Sequence, residues 1–183
     1  MNTIKNISAI ILAGGKSSRM KFNKEYIKIE GEFLVHKQIR ELKKIFNEVI
    51  VVSNNKEHYE DLNVHVVSDI LNGVTPIIGL HAGLFHSSNE YNYVIACDMP
   101  FINKEYIAFL ESKINGHDAY VSKYHGYIEP FNAIYSSKIT NNIEDFISNG
   151  NYGFQNLVKL INTLYIPESV VSKHHKIMIC LKI

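Results

Sequence analysis

The residues best suited to chemistry follow the first apolar run of the chain. Two adjacent glycines, Gly14 and Gly15, end the run at 7–13. Because glycine has no Cβ, backbone N–H groups at such a pair can approach an anion closely. Five donor side chains come next: Lys16, Ser17, Ser18, Arg19 and Lys24. These residue types at this spacing favour phosphate binding, although a tight turn after a strand would use the same glycines.

Two other phosphate-binding patterns are absent from the sequence. There is no GxxxxGK[ST] loop, and Gly14-Gly15 lacks the third glycine of a GxGxxG fingerprint. The missing dinucleotide fingerprint weighs against a redox enzyme. The phosphate hypothesis therefore depends on the Lys and Arg side chains that follow the glycines.

Hydrophobic periodicity predicts the elements that would position this loop. Strands are expected over residues 7–12, 48–52, 64–67, 93–97, 118–122, 130–135 and 163–166, and helices over 34–46, 58–62, 78–85, 103–113, 136–147 and 154–161. This alternation predicts an α/β fold with a doubly wound, mostly parallel sheet, Rossmann-like, whose ligands bind at the carboxyl ends of the strands. The linker 123–127 is too short for a helical crossover, so one strand there is expected to be antiparallel.

Composition narrows the class of protein. A chain of 183 residues with 46% hydrophobic content fits one domain, 1–183, with an atypical tail at 172–183. A net charge of +1 gives no general basic excess for nucleic acid. Cys97 and Cys180 make no disulfide framework or zinc motif. No run approaches the roughly 20 apolar residues of a membrane span, and we expect a cytoplasmic protein.

Several motifs together resemble the molybdenum cofactor guanylyltransferases, nucleotidyltransferases with a GT-A-like fold. LAGGKSSRM at 12–20 with Lys24 is similar to their LAGGxSxRM…K signature, and CDMP at 97–100 to their CDxP motif. TPIIG at 75–79 resembles GPLAG, and EPFNAIY at 129–135 resembles EPLxAxY. The resemblance spans about residues 7–135, extending toward 166.

The resemblance implies a catalytic set of Arg19, Lys24 and Asp98. Asp98 would hold one Mg²⁺, the expected cofactor, while Arg19 and Lys24 would neutralise the triphosphate and the departing pyrophosphate. A turn or cap at Asp98 and a solvated basic turn at the two cations are the alternative interpretations.

The same resemblance implies the nucleotide contacts. They are Leu12, Ala13, Gly14, Gly15, Lys24, Asn54, Asp69, Gly79 and Asp98. Asn54 is preferred to Asn55 for the base, and Asp69 is expected near the ribose or base. An ordinary turn at Asn54 or Asp69 and close packing at Gly79 stay open. Glu129 is expected near the acceptor by analogy, with a salt bridge at the strand edge as the alternative.

The implied reaction transfers GMP from GTP to molybdopterin, forming molybdopterin guanine dinucleotide and pyrophosphate. Gly14 favours GTP, because cytidylyltransferases more often read LAAG at this loop. Molybdoenzymes or other cofactor-biosynthesis proteins are candidate partners, and no nucleic acid or membrane is expected. The alternatives are a transferase that uses CTP or a sugar phosphate, and a non-catalytic nucleotide-binding paralogue. The paralogue is motivated by three departures from the family pattern, at Lys21, Thr75 and the tail 172–183.

Overall fold

Strands and helices alternate along most of the protein. The structure, a computed structural model, describes residues 4, 6–14, 23–73, 75–124 and 126–173. Within these ranges the strands are β1 (Ile7–Leu12), β2 (Lys28–Ile29), β3 (Glu32–Phe33), β4 (Val49–Val52), β5 (His65–Val67), β6 (Tyr91–Ala96), β7 (Ala119–Tyr124), β8 (Tyr127–Ser136) and β9 (Thr163–Ile166). The α-helices are α1 (Leu34–Lys43), α2 (Pro76–His86), α3 (Lys104–Ser112), α4 (Thr140–Ser148), α5 (Phe154–Leu160) and α6 (Glu168–Val171). Shorter 3-10 helices span Lys24–Tyr26, Lys56–Leu62 and Ser137–Ile139.

One strand of the main sheet runs against the others. In the described part of the chain the strand order is β5-β4-β1-β6-β8-β7-β9. β8 is antiparallel to both of its neighbours, whereas the other adjacent pairs are parallel. Two residues, 125–126, separate β7 from β8, which allows only a hairpin. The mostly parallel sheet with one antiparallel strand, as expected from the sequence, is confirmed.

Both faces of the sheet are covered, which explains why its central strands are continuously apolar. All six residues of β1 are buried. Ala9 and Ile11 pack with residues of α1, α3 and α6, whereas Ile10 and Leu12 pack with residues of α2, α4 and α5. The two hydrophobic cores therefore fix β1 in the middle of the molecule, with its carboxyl end at the edge where a ligand would bind.

The structure adds a small hairpin that periodicity did not predict. β2 and β3 pair over two residues each and are joined by Glu30 and Gly31, which have φ values of 54° and 86°. Positive φ at both central residues is the geometry of a two-residue hairpin turn. Strands this short contain too few residues for an alternating pattern, so hydrophobic periodicity cannot reveal them.

Three helices differ by three residues or more, or in type, from what the sequence predicts. The helix expected over 136–147 begins as the 3-10 helix Ser137–Ile139 and continues as α4 from Thr140 to Ser148. α1 ends at Lys43 rather than at Phe46, because Ile45 and Phe46 bond back to the Leu42 carbonyl and Phe46 then bridges to Ile4. The helix expected at 58–62 is a 3-10 helix that starts at Lys56. Asn103 caps α3 as expected, accepting a hydrogen bond from the Tyr106 N–H at 3.0 Å.

Among the described residues, no helix combines the length and apolarity needed to span a membrane.

Candidate active site

The start of the glycine loop is held between two neighbouring strands. The N–H groups of Ala13 and Gly14 donate to the Val52 carbonyl at 3.0 and 2.8 Å, and the Cys97 N–H donates to the Leu12 carbonyl at 3.1 Å. These bonds bring the carboxyl ends of β1, β4 and β6 together at one edge of the sheet. Gly15 and Arg19, which the sequence assigns to the same site, lie outside the described residues.

Lys24 and Asp98 meet at this edge. Lys24 Nζ lies 2.5 Å from Asp98 Oδ2, and the Asp98 side chain is 10% exposed against 38% for Lys24. The backbone places the lysine, because Asn23 caps the short helix Lys24–Tyr26 by accepting from the Glu25 N–H at 3.1 Å. The structure therefore joins two of the three residues in the expected catalytic set, although they are 74 positions apart in the chain.

Asp98 is presented by a tight turn after β6. The Met99 N–H donates to the Ala96 carbonyl at 3.2 Å, which closes a four-residue turn with Asp98 in its third position. Cys97, the second residue of the turn, is buried. Burial raises the pKa of its thiol, and the nearby Asp98 carboxylate adds to that effect. Cys97 is thus a packing residue of this turn.

Glu129, near the start of β8, is close enough to Asp98 for their charges to interact. Burial raises the pKa of its carboxyl, a hydrogen bond from the Phe131 N–H at 3.3 Å opposes that rise, and the negative charge of Asp98 adds to it. The two carboxyl groups therefore belong to the same part of the sheet edge. The antiparallel course of β8 produces this arrangement, since it returns the start of that strand to the edge where β6 ends.

A second group of residues lies on the other side of the carboxyl end of β1, toward β4 and β5. Burial raises the pKa of the Asp69 carboxyl, and a hydrogen bond from the Asn54 side chain opposes that rise. A Cβ placed on Gly79 would lie 3.9 Å from Asp69 Oδ1 and 3.6 Å from Leu12 Cδ2. The Asn55 side chain instead donates to the Tyr26 hydroxyl. Leu12, Asn54, Asp69 and Gly79 thus form one cluster, in which Asn54 rather than Asn55 faces Asp69.

The chain matches a known family of proteins over most of its length. The family model described as "MobA-like NTP transferase domain" matches residues 9–165. This chain belongs to the MobA-like NTP transferase family. The resemblance inferred from the sequence is confirmed, and the match includes both ends of the site, from the glycine loop to Glu129.

Curated relatives and a solved structure agree with the family. The transferase is 40% identical to a protein of Peptoclostridium acidaminophilum named "Probable molybdenum cofactor guanylyltransferase", over 88% of this chain and 76% of the relative. It is 37% identical to the "Molybdenum cofactor guanylyltransferase" of Syntrophotalea carbinolica, over 88% of this chain and 78% of the relative. The solved structure of molybdopterin-guanine dinucleotide biosynthesis protein A from Archaeoglobus fulgidus superposes with a TM-score of 0.78 at 26% identity, covering 94% and 88% of the two chains.

Two buried polar residues of the transferase site were missed from the sequence. Glu25 is 3% exposed. Burial raises the pKa of its carboxyl, while the hydroxyls of Ser53 and Tyr59 and the nearby His58 oppose that rise. Gln38 is 1% exposed and donates from α1 to the turn that carries Asp98. The sequence does contain a signal for Gln38, because this polar residue interrupts the apolar stripe of α1. The burial of Glu25 depends on tertiary packing, so the sequence contains no signal for it.

Proposed function

We propose that this transferase moves GMP from GTP to molybdopterin, forming molybdopterin guanine dinucleotide and pyrophosphate. The observation that carries the proposal is the contact of Lys24 with Asp98 beside the glycine loop. A lysine suits phosphate oxygens and a carboxylate suits a metal ion, and this contact lies at the carboxyl ends of parallel strands, where ligands of such sheets bind. The names of the guanylyltransferase relatives support GTP and molybdopterin as the substrates.

In this proposal two groups of described residues bind different parts of the nucleotide. The base and ribose lie against Leu12, Asn54, Asp69 and Gly79, on the β4 and β5 side of the loop. The triphosphate follows the backbone of Ala13 and Gly14 toward Lys24. Gly15 and Arg19 would complete the phosphate contacts, as the family resemblance implies. Glu129 is near Asp98, so the acceptor phosphate would enter at the edge of the sheet where β6 ends and β8 begins.

We further propose that the reaction depends on Mg²⁺ held by Asp98. The donor chemistry fits, because Mg²⁺ prefers oxygen ligands and is commonly bound through one or two carboxylates, substrate phosphates and water. When bound, the ion would neutralise charge on the phosphates around the reacting α-phosphorus. Lys24 would stabilise the negative charge of pyrophosphate as the bond between the α- and β-phosphates breaks. The attacking oxygen belongs to a phosphate of the acceptor that is already ionised, so no general base is required.

Nucleotide choice tests this proposal most sharply. Pyrophosphate release is measured with GTP and with CTP, each with molybdopterin and Mg²⁺, for the wild type and for Asp98→Ala. We expect release with GTP that depends on Mg²⁺ and is lost in the variant. Preference for CTP would overturn the guanylyl assignment. GTP binding without any turnover above that of Asp98→Ala would favour a non-catalytic nucleotide-binding protein.

We also propose that the reaction takes place in the cytoplasm, with cofactor-biosynthesis proteins or molybdoenzymes taking up the product. Fractionation of cells that express the tagged chain would test the location. Recovery of the protein with the membrane fraction would contradict it.

A further inference from the structure

We propose that Gln38 is a positioning residue that holds the turn carrying Asp98 in its working orientation. The inference rests on the proposed function, since it assigns Asp98 to the metal and the phosphates. Gln38 touches neither substrate in that scheme. It acts from the buried face of α1 through the backbone of the turn.

The geometry is a two-point clamp on the ends of the turn. Gln38 Nε2 donates to the Ala96 carbonyl at 2.9 Å and to the Met99 carbonyl at 2.7 Å. These carbonyls belong to the first and fourth residues of the turn, which the Met99 N–H closes onto Ala96. Because one side-chain NH₂ supplies both donors, the two carbonyls are held at a fixed separation and orientation.

Packing alone does not explain why a glutamine stands on the buried face of α1. Leu34 and Leu42, one turn before and after it, are buried apolar residues on the same face. An amide buried on such a face without partners is destabilising, because it loses its hydrogen bonds to water. An apolar residue there would pack as Leu34 and Leu42 do but could donate to neither carbonyl. The glutamine is therefore matched to the turn rather than to the core.

Other contacts support the turn without replacing the clamp. The Asn132 side chain donates to Met99 Sδ at 3.7 Å and itself accepts from the Tyr93 hydroxyl. The Cys97 N–H ties the second residue of the turn to β1. These contacts fix one side chain and one N–H group. Among the hydrogen bonds of the described residues, those of Gln38 connect both end carbonyls to a single rigid helix.

Loss of the clamp should loosen Asp98 more than it loosens the nucleotide cluster. Asp98 lies between the two held carbonyls, so rotation of the turn would shift its carboxylate relative to Lys24 and Glu129. Leu12, Asn54, Asp69 and Gly79 are held by other elements. Residues that orient a metal ligand without touching the metal typically contribute 10–100-fold in metal affinity or activity.

The test compares Gln38→Met with Ile39→Val on the same helix. Methionine keeps the length of the side chain and removes both donors, whereas Ile39→Val removes one buried methyl group and leaves the turn untouched. We measure kcat, the KM for GTP, Mn²⁺ affinity of the enzyme–GTP complex by electron paramagnetic resonance, and hydrogen–deuterium exchange of residues 96–99. For Gln38→Met we expect kcat and Mn²⁺ affinity to fall about 10–100-fold, KM to stay within about twofold, and exchange at 96–99 to accelerate. Ile39→Val should match the wild type in all four.

Two results would overturn the role of Gln38. Exchange at 96–99 and Mn²⁺ affinity that stay at wild-type values in Gln38→Met would show that the clamp does not hold the turn. Equal losses in Ile39→Val would show general destabilisation instead. If Gln38→Met fails to fold, Gln38→Leu replaces it, since leucine packs on the same face as Leu34 and Leu42 and also lacks both donors. Because exchange needs neither turnover nor metal, a wild type that lacks guanylyl transfer would overturn the proposed function and leave the clamp tested separately.

Discussion

At the scale of single residues, the contact of Lys24 with Asp98 sets up a competition. The lysine side chain is more than a third exposed, so the ion pair contributes only about 1 kcal/mol or less to stability. Such a pair is readily exchanged for stronger partners. In the proposed reaction Asp98 would turn to Mg²⁺ and Lys24 to the phosphates, and both partners would gain a more highly charged neighbour.

We therefore expect Lys24→Met to lower the rate of catalysis and to raise the affinity for a metal ion. We expect kcat to fall about 100-fold or more, as for loss of one group that stabilises transition-state charge. We also expect Mn²⁺ to bind more tightly in the absence of GTP, because its competitor for Asp98 is gone. Turnover assays and Mn²⁺ titration measure the two effects. Weaker Mn²⁺ binding in the variant would contradict the competition.

Glu25 makes a residue-scale prediction for the pH dependence of stability. Burial holds the pKa of its carboxyl above the value of about 4.3 expected for an unfolded chain. The folded state thus binds the proton more tightly than the unfolded chain does. The stability that Glu25 contributes is therefore present below the unfolded pKa and is lost as pH rises through the folded pKa. Glu25→Gln, which cannot ionise, should raise the free energy of unfolding at neutral pH and flatten its fall above about pH 4.3.

Urea unfolding at a series of pH values checks this expectation for Glu25. The exposed Glu30, on the turn between β2 and β3, provides the control as Glu30→Gln. A Glu25→Gln protein that loses stability at neutral pH relative to the wild type would show that the ionised carboxylate is better satisfied than its burial indicates.

At the scale of elements, helix α2 carries two glycines with different surroundings. A Cβ on Gly83 would lie 2.6 Å from Ile10 Cγ2, which is closer than two non-bonded carbon atoms can approach. At Gly79 the nearest atom would be 3.6 Å away, which is an ordinary contact. Gly83 therefore lets the helix pack closely against β1, whereas Gly79 leaves room beside Asp69 and Leu12, where the nucleotide is proposed to bind.

The two alanine variants of α2 should separate packing from binding. We expect Gly83→Ala to destabilise the protein by about 1–3 kcal/mol through overpacking, with the KM for GTP close to the wild-type value. Gly79→Ala should change stability by less than about 1 kcal/mol, since alanine favours the helix, and raise the KM for GTP. Denaturant unfolding and kinetics on both proteins give the comparison. A larger loss of stability for Gly79→Ala than for Gly83→Ala would reverse the assignment.

The sequence predicted the elements better than it predicted the packing inside them. Apolar runs such as Ile7–Leu12 identified the buried strands, because a strand covered on both faces must be apolar throughout. The β2–β3 hairpin was too short for any period. Gln38 and Glu25 owe their roles to residues 58 and 28 positions away, Ala96 and Ser53, and local patterns contain no information about such partners.

At the scale of the whole molecule, the order of the strands explains why distant motifs form one site. β1 lies between β4 and β6, so Gly14, Asn54 and Asp98, which follow these three strands, lie at the same edge. The rule that ligands bind at the carboxyl ends of parallel strands was enough to predict this convergence. The antiparallel β8 then adds Glu129 to that edge from the opposite chain direction, which a purely parallel sheet could not do.

The most direct test follows the two ends of the triphosphate. GTP labelled at the α-phosphate or at the γ-phosphate is incubated with the protein, molybdopterin and Mg²⁺, and the products are separated. Nucleotidyl transfer bonds an acceptor oxygen to the α-phosphorus and releases pyrophosphate. We therefore expect α-label in the pterin dinucleotide and γ-label only in pyrophosphate, with both products lost in Asp98→Asn. A pterin product that carries the γ-label, or α-label that never leaves the mononucleotides, would contradict guanylyl transfer by this protein.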